Sequence, residues 1–291
     1  MEAIKTNKLN KFYGKSRGII DISLSVEEGD FFGFIGPNGA GKSTTIRILL
    51  GLISATGGTA EVLGQDITKN KTEILNEIGY LPSETMFYNG MRVRDVIKLS
   101  ADLRKKDCSE EAKKLCDRLE LDTSKKIEEL SLGKRKKVGI VCAMQHKPKL
   151  YILDEPTSGL DPLMQLEFYS VLKERNEEGA TVFLSSHILS EVQRYCKHAA
   201  VIREGKLLVS DSVEKLGHTG AKRVTLQGIN KLSGIENIRD VKSGDNTVSF
   251  LYSGKPDILL KKLSELPITD ITIAEPGLEE VFMHYYTKED N

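Results

Sequence analysis

The stretch from residue 31 to residue 50 reads FFGFIGPNGAGKSTTIRILL. Its first part, Phe31 to Ile35, is an uninterrupted apolar run that predicts a buried strand, and its last part, Thr44 to Leu50, predicts a helix. The segment between them, GPNGAGKST (residues 36–44, here called the phosphate loop), matches the eight-residue pattern of a phosphate-binding loop. Strand, loop and helix follow in the order that this pattern requires, so the sequence predicts an α/β fold.

The composition of the phosphate loop suits an anion. Glycines let consecutive backbone amides turn inward around phosphate oxygens, and the helix N-terminus adds the positive end of its dipole. The pattern predicts that Lys42 reaches the β- and γ-phosphates of a nucleotide and that Ser43 ligates magnesium. The alternative is a glycine-rich turn with no ligand. The candidate nucleotide-binding residues of the loop are Gly36, Pro37, Asn38, Gly39, Ala40, Gly41, Lys42, Ser43 and Thr44.

A second stretch, LYILDEPTSGLD, spans residues 150–161. Leu150 to Leu153 predict another buried strand, and two adjacent carboxylates, Asp154 and Glu155, follow it. Because successive side chains of an extended backbone alternate, we expect the carboxylates to point to opposite sides, so that one holds a metal and the other orients water. The alternative is an acidic pair that only ends the strand and caps the next helix.

A third apolar run, Thr181 to Leu184, leads into Ser185, Ser186 and His187. Three predicted strands thus end in a phosphate loop, a carboxylate pair and a histidine. Open parallel α/β sheets bind their ligands at the carboxyl ends of the strands. The sequence therefore places His187 in the same predicted site.

Four motifs, GPNGAGKST, LYILDEP, SGLDP and LSSH, together resemble the nucleotide-binding domain of ATP-binding cassette (ABC) transporters in their order and spacing. The likeness covers about residues 1–217. It implies a P-loop NTPase cassette of α/β class, with an antiparallel β subdomain and a helical subdomain at about residues 85–147. It also implies ATP and Mg²⁺ as cofactors.

The resemblance implies a role for each matching residue of the catalytic centre. Glu155 is the general base, His187 lies near the γ-phosphate, and Lys42 acts on the same phosphate. Ser43 and Asp154 act on magnesium. The site is thus expected to hydrolyse ATP at the bond between its β- and γ-phosphates.

Two further positions are assigned by the same resemblance. Tyr13, in KFYGK, stands where the family stacks an aromatic ring on adenine; an ordinary aromatic residue at a strand end is the alternative. Asp161 is the aspartate that communicates across a dimer of cassettes. The resemblance therefore implies a pair of chains, either a homodimer or a heterodimer.

The signature segment, LSLGKRKK (residues 130–137), departs from the family's usual LSGGQ. Ser131 and Gly133 keep the hydroxyl and the glycine amide that would receive a γ-phosphate bound to the opposite chain. Leu132 adds a branched side chain, and Lys134 replaces an amide with a charge. Either the shared site is weakened, or this is a variant that one branch of the family tolerates.

The loop after IGYLP departs as well. The family commonly has glutamine there, whereas this chain has Ser83 followed by Glu84. Glu84 is predicted to take over the contact with water and magnesium, because Ser83 is too short to reach far. Both departures resemble those of bacterial antibiotic and drug exporters.

Composition and charge are ordinary for a globular protein. Of 291 residues, 39% are hydrophobic and 29% are charged, and 42 basic residues balance 42 acidic ones. This neutrality argues against a nucleic-acid partner. The four consecutive cations Lys134 to Lys137 are interpreted as a solvated helix face, with contact to a nucleotide across the dimer as a second interpretation.

Residues 218–291 are predicted to form a small α+β accessory domain that begins after a linker at residues 217–220. Its predicted strands are residues 223–226, 247–252 and 271–274, with a hairpin turn at residues 243–246. Pro256 to Leu266 predicts an amphipathic helix that has proline in its first turn, and Leu278 to Tyr286 predicts a terminal helix. The sequence assigns this domain no catalytic role.

The leading hypothesis is an ATP-hydrolysing subunit of a bacterial exporter that energises a membrane-spanning permease on a separate chain. We expect such a subunit at the cytoplasmic face of the cell membrane. A nucleotide-gated regulatory module with weak hydrolysis is one alternative, and a non-transport ABC ATPase is another. The sequence does not identify the transported molecule, because its contacts belong to the permease.

Overall fold

The structure is a computed structural model that describes residues 1–217, 221–232 and 234–276. The chain divides into two compact units, Met1–Asp211 and Ser212–Asn291. This division falls a few residues before the boundary that the sequence predicts at residue 217. Within the described part of the chain, no helix is both long and apolar enough to cross a membrane.

The first unit is built on a mixture of strands and helices. Its strands are β1 (Glu2–Tyr13), β2 (Ser16–Glu27), β3 (Phe31–Ile35), β4 (Gly57–Val62), β5 (Gln65–Asp66), β6 (Ile78–Leu81), β7 (Leu150–Asp154), β8 (Thr181–Ser186), β9 (His198–Arg203) and β10 (Lys206–Ser212). Its helices are α1 (Lys42–Leu49), α2 (Lys71–Asn76), α3 (Val93–Asp102), α4 (Ser109–Arg118), α5 (Leu132–Met144), α6 (Pro162–Glu177) and α7 (Leu189–Tyr195).

A sheet of order β10-β9-β3-β8-β7-β6 forms the centre of this unit. Strands β3, β7 and β8 are buried along their whole length, as expected for apolar runs covered on both faces. Their pairing is parallel, with Phe31 opposite Val182 and Leu150 opposite Thr181. The carboxyl ends of β3, β8, β7 and β6 therefore lie side by side, and each is followed by one of the predicted functional loops.

A second sheet, of order β2-β1-β4-β5, is antiparallel. Along β2, the buried residues Ile22, Leu24 and Val26 alternate with polar residues, which is the pattern of a sheet with one face in the core. This sheet confirms the expected antiparallel β subdomain. Tyr13 is the last residue of β1, directly before the turn that leads into β2.

Helices α3, α4 and α5 lie in sequence between β6 and β7, inside the range expected for the helical subdomain. Val93, Val96 and Ile97 form the buried face of α3. Gln145, which follows α5, donates through Nε2 to the carbonyl oxygen of Ile97 at 3.0 Å. Helix α5 therefore fixes α3 through a buried polar contact as well as by apolar packing.

The second unit is a small α+β structure. It contains α8 (Val213–Gly217), β11 (Lys222–Gln227), β12 (Ile238–Gly244), β13 (Thr247–Tyr252), α9 (Pro256–Leu263) and β14 (Asp270–Ala274), with the antiparallel sheet order β12-β13-β11-β14. Buried Val224 and Phe250 of the sheet cluster with Leu259 and Leu263 of α9. The three predicted strands, the hairpin turn and the helix are present, although the helix ends at Leu263.

Strand β12 was not predicted. Its sequence, IRDVKSG, is exposed along almost its whole length, so it lacks the alternation that identifies a strand. The linker residues 218–220 and the predicted terminal helix at residues 278–286 lie outside the described residues.

Candidate nucleotide-binding site

The loops that follow β3, β6 and β7 open onto one cavity of about 290 Å³. Ligands of parallel α/β sheets bind at this end of the strands. The cavity is lined by Tyr13, Arg17, Gly18, Pro37, Asn38, Gly39, Gly41, Lys42, Ser43, Thr44, Ser83 and Glu155. The structure thus brings together the aromatic residue of β1, the phosphate loop and one of the two predicted carboxylates.

The backbone of the phosphate loop requires glycine. Gly39 and Gly41 have φ values of 80° and 113°, which disfavour a side chain. A Cβ atom on Gly36 would lie 2.4 Å from the carbonyl oxygen of Ile202, and one on Gly41 would lie 2.8 Å from Cγ2 of Ile19. The loop is therefore closely packed at Gly36 and Gly41, where a side chain would clash with its neighbours.

Lys42 lies within this loop and is almost completely buried. Its Nζ donates to the carbonyl oxygen of Gly36 at 2.6 Å and lies 3.2 Å from Oε1 of Glu155. The ammonium group therefore stands between the phosphate loop and the end of β7. This arrangement places a cation where an anionic ligand of the loop would carry its charge.

Glu155 does not continue the strand, so the expected alternation of the two carboxylates was the wrong explanation for their separation. Strand β7 ends at Asp154, and Glu155 has the left-handed φ value of 48°. Non-glycine residues held in this conformation are often found at functional sites. The backbone NH of Glu155 donates to the carbonyl oxygen of Ser185 at 3.0 Å, which fixes the turn.

The two carboxylates have different surroundings. Asp154 is buried, and its Oδ1 accepts from the hydroxyl of Ser185 at 3.0 Å. Oε2 of Glu155 lies 2.7 Å from Nδ1 of His187, whose side chain is half-exposed. The predicted base and the predicted histidine are therefore in direct contact, as the order of the motifs suggested.

The magnesium prediction can be tested against the donors that are present. Ser43 borders the cavity, and Asp154 is the last residue of β7, directly before Glu155, which also borders it. Hydroxyl and carboxylate oxygens are the ligands that Mg²⁺ prefers, and this ion commonly takes only one or two protein ligands beside phosphates and waters. The closely packed glycine loop and this donor set fit a nucleotide with its magnesium.

Tyr13 is half-exposed and borders the cavity. Nζ of Lys11 lies 5.3 Å from the centre of its ring. A Cβ atom on Gly18 would come within 3.0 Å of the ring, so the absence of a side chain at residue 18 makes room for it. The position suits a ring that stacks on a planar base, and this role stays a prediction.

Ser83 and Glu84 lie differently from the sequence-based expectation. Ser83 borders the cavity, whereas Glu84 is exposed and is not among the described residues that line it. A magnesium contact by Glu84 would therefore need a rotation of its side chain toward the cavity. It stays a prediction.

The signature segment is separate from the cavity at Lys42. Ser131 is the N-cap of α5 and accepts from the backbone NH of Lys134 at 3.5 Å. A Cβ atom on Gly133 would lie 2.4 Å from the carbonyl oxygen of Gly159, so the start of α5 rests on the loop that follows Glu155. Leu132 is 62% exposed. Neither Ser131 nor Gly133 borders the described cavity.

Two residues of the basic run were misinterpreted as part of a solvated face. Lys136 is 2% exposed and Lys137 is 8% exposed. Nζ of Lys136 donates to the carbonyl oxygens of Pro82 and Ser83, each at 2.9 Å. Burial lowers the pKa of Lys136 to about 8. The nearby carboxylates of Asp154 and Glu155 act in the opposite direction and raise this pKa, but by less. A run of four cations gave no sign of which two are buried.

Glu191 was also missed. It is 9% exposed and accepts from the hydroxyls of Thr157 at 2.7 Å and Ser186 at 2.8 Å. Thr157 belongs to the loop after β7, and Ser186 precedes His187. Glu191 therefore joins the two loops that carry the predicted base and histidine. Its position four residues after His187, in the first turn of α7, was the available signal.

Asp161 is the N-cap of α6 and accepts from the backbone NH of Met164 at 3.0 Å. This contact accounts for an acidic residue at this position without a second chain. A contact across a dimer interface is compatible with it, because one carboxylate oxygen can accept further hydrogen bonds. The dimer role of Asp161 stays a prediction.

Comparison with known proteins agrees with the site geometry. The family model described as ABC transporter matches residues 19–158. The bacitracin transport ATP-binding protein BcrA of Bacillus licheniformis is 36% identical over 297 residues, with 96% of each chain covered. The linearmycin resistance ATP-binding protein LnrL of Bacillus subtilis (strain 168) is 28% identical over 302 residues, with 97% of each covered. A solved ATP-binding subunit of an ABC transporter covers 74% of this chain and 91% of its own, with 28% identity and a TM-score of 0.69.

The matched segment contains the phosphate loop, the signature segment and both carboxylates at the end of β7. The likeness to the Bacillus licheniformis protein extends over nearly the whole chain, including the range of the second unit. The expectations of a P-loop cassette and of ATP as ligand are thereby confirmed. The chain belongs to the ATP-binding subunits of ABC transporters, which bind and hydrolyse ATP to drive transport.

Proposed function

We propose that this chain powers the export of an antibiotic-like compound through a membrane-spanning permease on a separate chain. In this proposal two cassettes close around two molecules of ATP at the cytoplasmic face of the membrane and open again after hydrolysis. The observation that carries the catalytic part is the contact of Glu155 with both Lys42 and His187 beside the phosphate loop.

The roles of the residues follow from their contacts. The amides of the phosphate loop hold the phosphates, and Lys42 balances negative charge on the β- and γ-phosphates. Glu155 orients the attacking water and accepts its proton. His187, held against Glu155 at 2.7 Å, would act on the γ-phosphate from beside this base. Positioning and charge stabilisation of this kind account for most of the catalysis of phosphoryl transfer.

Magnesium would be held by Ser43 and Asp154, with Glu84 as a further candidate ligand. When bound, the ion supplies positive charge that stabilises the transferring phosphoryl group. Asp154 is preorganised for this role by the hydroxyl of Ser185, which occupies one side of its carboxylate. The buried position of Asp154 excludes water from that side.

The second half of each nucleotide site would come from the other chain. Ser131 and Gly133 start helix α5, whose amides and dipole suit an anion. They do not border the described cavity of their own chain, which supports a role toward a γ-phosphate held by a partner. A symmetric pair would then contain two equivalent sites.

The permease would dock on the helical subdomain. A cavity of about 870 Å³ opens between α3 and α4, with an apolar floor that includes Ile97 and Ala101. Its lining carries more basic than acidic side chains: Arg94, Lys98, Lys105, Lys106 and Lys113 against Asp102, Asp107 and Asp117. Charge complementarity predicts acidic residues on the permease segment that enters this cavity.

Exposed apolar residues lie in the loop between β6 and α3, which adjoins the nucleotide cavity through Ser83. Met86 is 88% exposed and Tyr88 is 77% exposed. Such residues suit a surface that a partner covers. We therefore assign this loop to the same permease interface, where it would transmit closure of the nucleotide site to the membrane subunit.

The transported class is inferred from relatives alone. BcrA is named for bacitracin transport, and LnrL is named for linearmycin resistance. Both cover nearly all of this chain, so the proposal extends the export of antibiotic-like compounds to it. Loss of this subunit should increase sensitivity of the host cell to such a compound, and an unchanged sensitivity profile would contradict the proposed class.

The catalytic proposal is tested by Glu155→Gln. The purified chain together with its membrane partner should hydrolyse ATP, and the variant should lose turnover by at least about a hundredfold while it still binds ATP. Unchanged turnover would contradict the role of the base. Wild-type protein that binds ATP but turns over at background, even with its partner, would favour the regulatory module.

A further inference from the structure

Helix α5 carries residues of proposed function at two positions along its length. At its N-terminus, Ser131 and Gly133 form the half-site proposed for the other chain's ATP. Further along the same helix, Lys136 holds the carbonyl oxygens of Pro82 and Ser83. Five residues of an α-helix span about 7.5 Å, so these contacts lie close together on one rigid element.

Lys136 makes a buried, specific contact with the loop after β6. The residue is 2% exposed, and a buried ammonium is costly unless it is well hydrogen-bonded. Both acceptors are main-chain carbonyls at 2.9 Å, so they fix the backbone of the loop after β6 whatever its side chains are. Asp154 and Glu155 lie near enough to favour the charged form. Two carbonyl dipoles and these two carboxylates thus offset part of the cost of burying the ammonium.

We infer that Lys136 is a positioning residue that couples the two nucleotide sites of a dimer. A γ-phosphate bound to the other chain acts on Ser131 and shifts α5. Lys136 transmits that shift to Pro82 and Ser83, whose loop borders this chain's own nucleotide cavity. The inference rests on the proposed dimer, and it adds the physical link between one site and the other.

The test compares three variants of the complete chain with its membrane partner. Lys136→Met removes both donated hydrogen bonds while retaining an apolar stem of similar length. Lys136→Gln retains a shorter, neutral donor. Lys173→Met is the matched control, because Lys173 is 71% exposed on α6 and forms a surface ion pair with its helical neighbour Glu177 at 3.8 Å.

We expect Lys136→Met to lower kcat for ATP about tenfold or more, since small misplacements of a catalytic loop have effects of this size. The Hill coefficient for ATP should fall toward 1, whereas ATP binding at the phosphate loop and Tm should change little. Lys136→Gln should lie between Met and wild type. Lys173→Met should match wild type in every measurement.

A second measurement does not depend on turnover. Hydrogen exchange of the backbone amides of residues 83–87 should become faster in Lys136→Met than in wild type or Lys173→Met. Unchanged exchange, or an unchanged Hill coefficient in an active enzyme, would overturn the inference. So would a parallel loss of ATP binding, Tm and turnover, because that pattern indicates only a folding role. Faster exchange in a protein without turnover would instead count against the proposed function alone.

Discussion

The phosphate loop and the signature segment both place glycine and a serine at the start of a helix, yet they differ in how much of their sequence the fold constrains. In the phosphate loop, Gly36 and Gly41 have neighbours closer than a Cβ atom allows. In the signature segment, Gly133 has such a neighbour, but Leu132 is largely exposed. The departures from the family pattern therefore fall where this chain makes few contacts.

This difference shows which contacts are internal and which need a second chain. The contacts of the phosphate loop lie within one chain, because Nζ of Lys42 is 3.2 Å from Oε1 of Glu155. The exposed part of the signature segment has its proposed ligand on the other chain. Leu132 and Lys134 can therefore change without strain in this chain, and any cost would appear only in the shared site.

The largest expected effect is at Lys42. Lys42→Ala removes the cation that lies between the phosphate loop and Glu155, so we expect turnover to fall by about 10³ and ATP binding to weaken. Titration with a fluorescent ATP analogue and a phosphate-release assay measure the two effects. Lys173→Ala, on exposed α6, serves as control. Turnover near wild type in Lys42→Ala would contradict the claim that the phosphate loop forms its catalytic contacts within one chain.

The next effect compares neighbouring residues of the signature segment. Gly133→Ala forces the carbonyl of Gly159 or the start of α5 to move, because the added Cβ would lie at 2.4 Å. We expect a loss of turnover of about tenfold or more, with ATP binding to the isolated chain retained. Leu132→Ala should change turnover far less. The reverse order would show that the exposed leucine, and not the packed glycine, controls the shared site.

A smaller effect is expected at Glu191. Glu191→Ala leaves the hydroxyls of Thr157 and Ser186 without their acceptor, which should reduce the free energy of unfolding by about 1–3 kcal/mol. Turnover should fall as well, because the loops of Glu155 and His187 are no longer joined. Glu191→Gln keeps one acceptor oxygen and should be milder in both urea unfolding and ATPase assays. Equal effects of Ala and Gln would contradict the hydrogen-bonding role.

The smallest effect on turnover is expected at His146, whose contribution concerns stability and pH. Burial, with a smaller contribution from Arg104, lowers the pKa of His146 from 6.5 to about 4, so the folded protein binds this proton less readily than the unfolded chain. This contribution is fully present above about pH 6.5 and is lost as the pH falls toward 4, by up to about 1.4 kcal/mol per pH unit. Urea unfolding of wild type and His146→Gln should therefore show a steeper loss for wild type below pH 6.5. Parallel curves would contradict the assignment.

Much of this site could be predicted from the sequence because its motifs are local. Lys42 and Ser43 follow from one loop, and Glu155 and His187 each follow a buried apolar strand whose parallel pairing brings them together. The local sequence pattern could not predict that two residues in the run of four cations, Lys136 and Lys137, are buried. Lys136 was found only through the position of its two acceptor carbonyls.

Backbone conformation was equally hidden. Alternation along a strand predicted separate directions for Asp154 and Glu155, but the left-handed turn at Glu155 is what gives them different surroundings. Strand β12 was missed because it is exposed along almost its whole length, so its sequence lacks the apolar alternation that identifies a strand. The fold class and the motif residues were therefore predictable, whereas contacts between distant loops were not.

The central claim, that each ATP site is shared between two chains, is tested most directly by mixing two impaired variants. Glu155→Gln lacks the base of its own site, and Gly133→Ala damages the half-site offered to its partner. A mixed dimer then contains one site with both defects and one with neither. Equal amounts, mixed with the membrane partner, should regain turnover of up to about a quarter of wild type, because random pairing makes half of the dimers mixed and each mixed dimer has one intact site. No recovery above the separate variants, in samples shown to exchange subunits, would contradict the account.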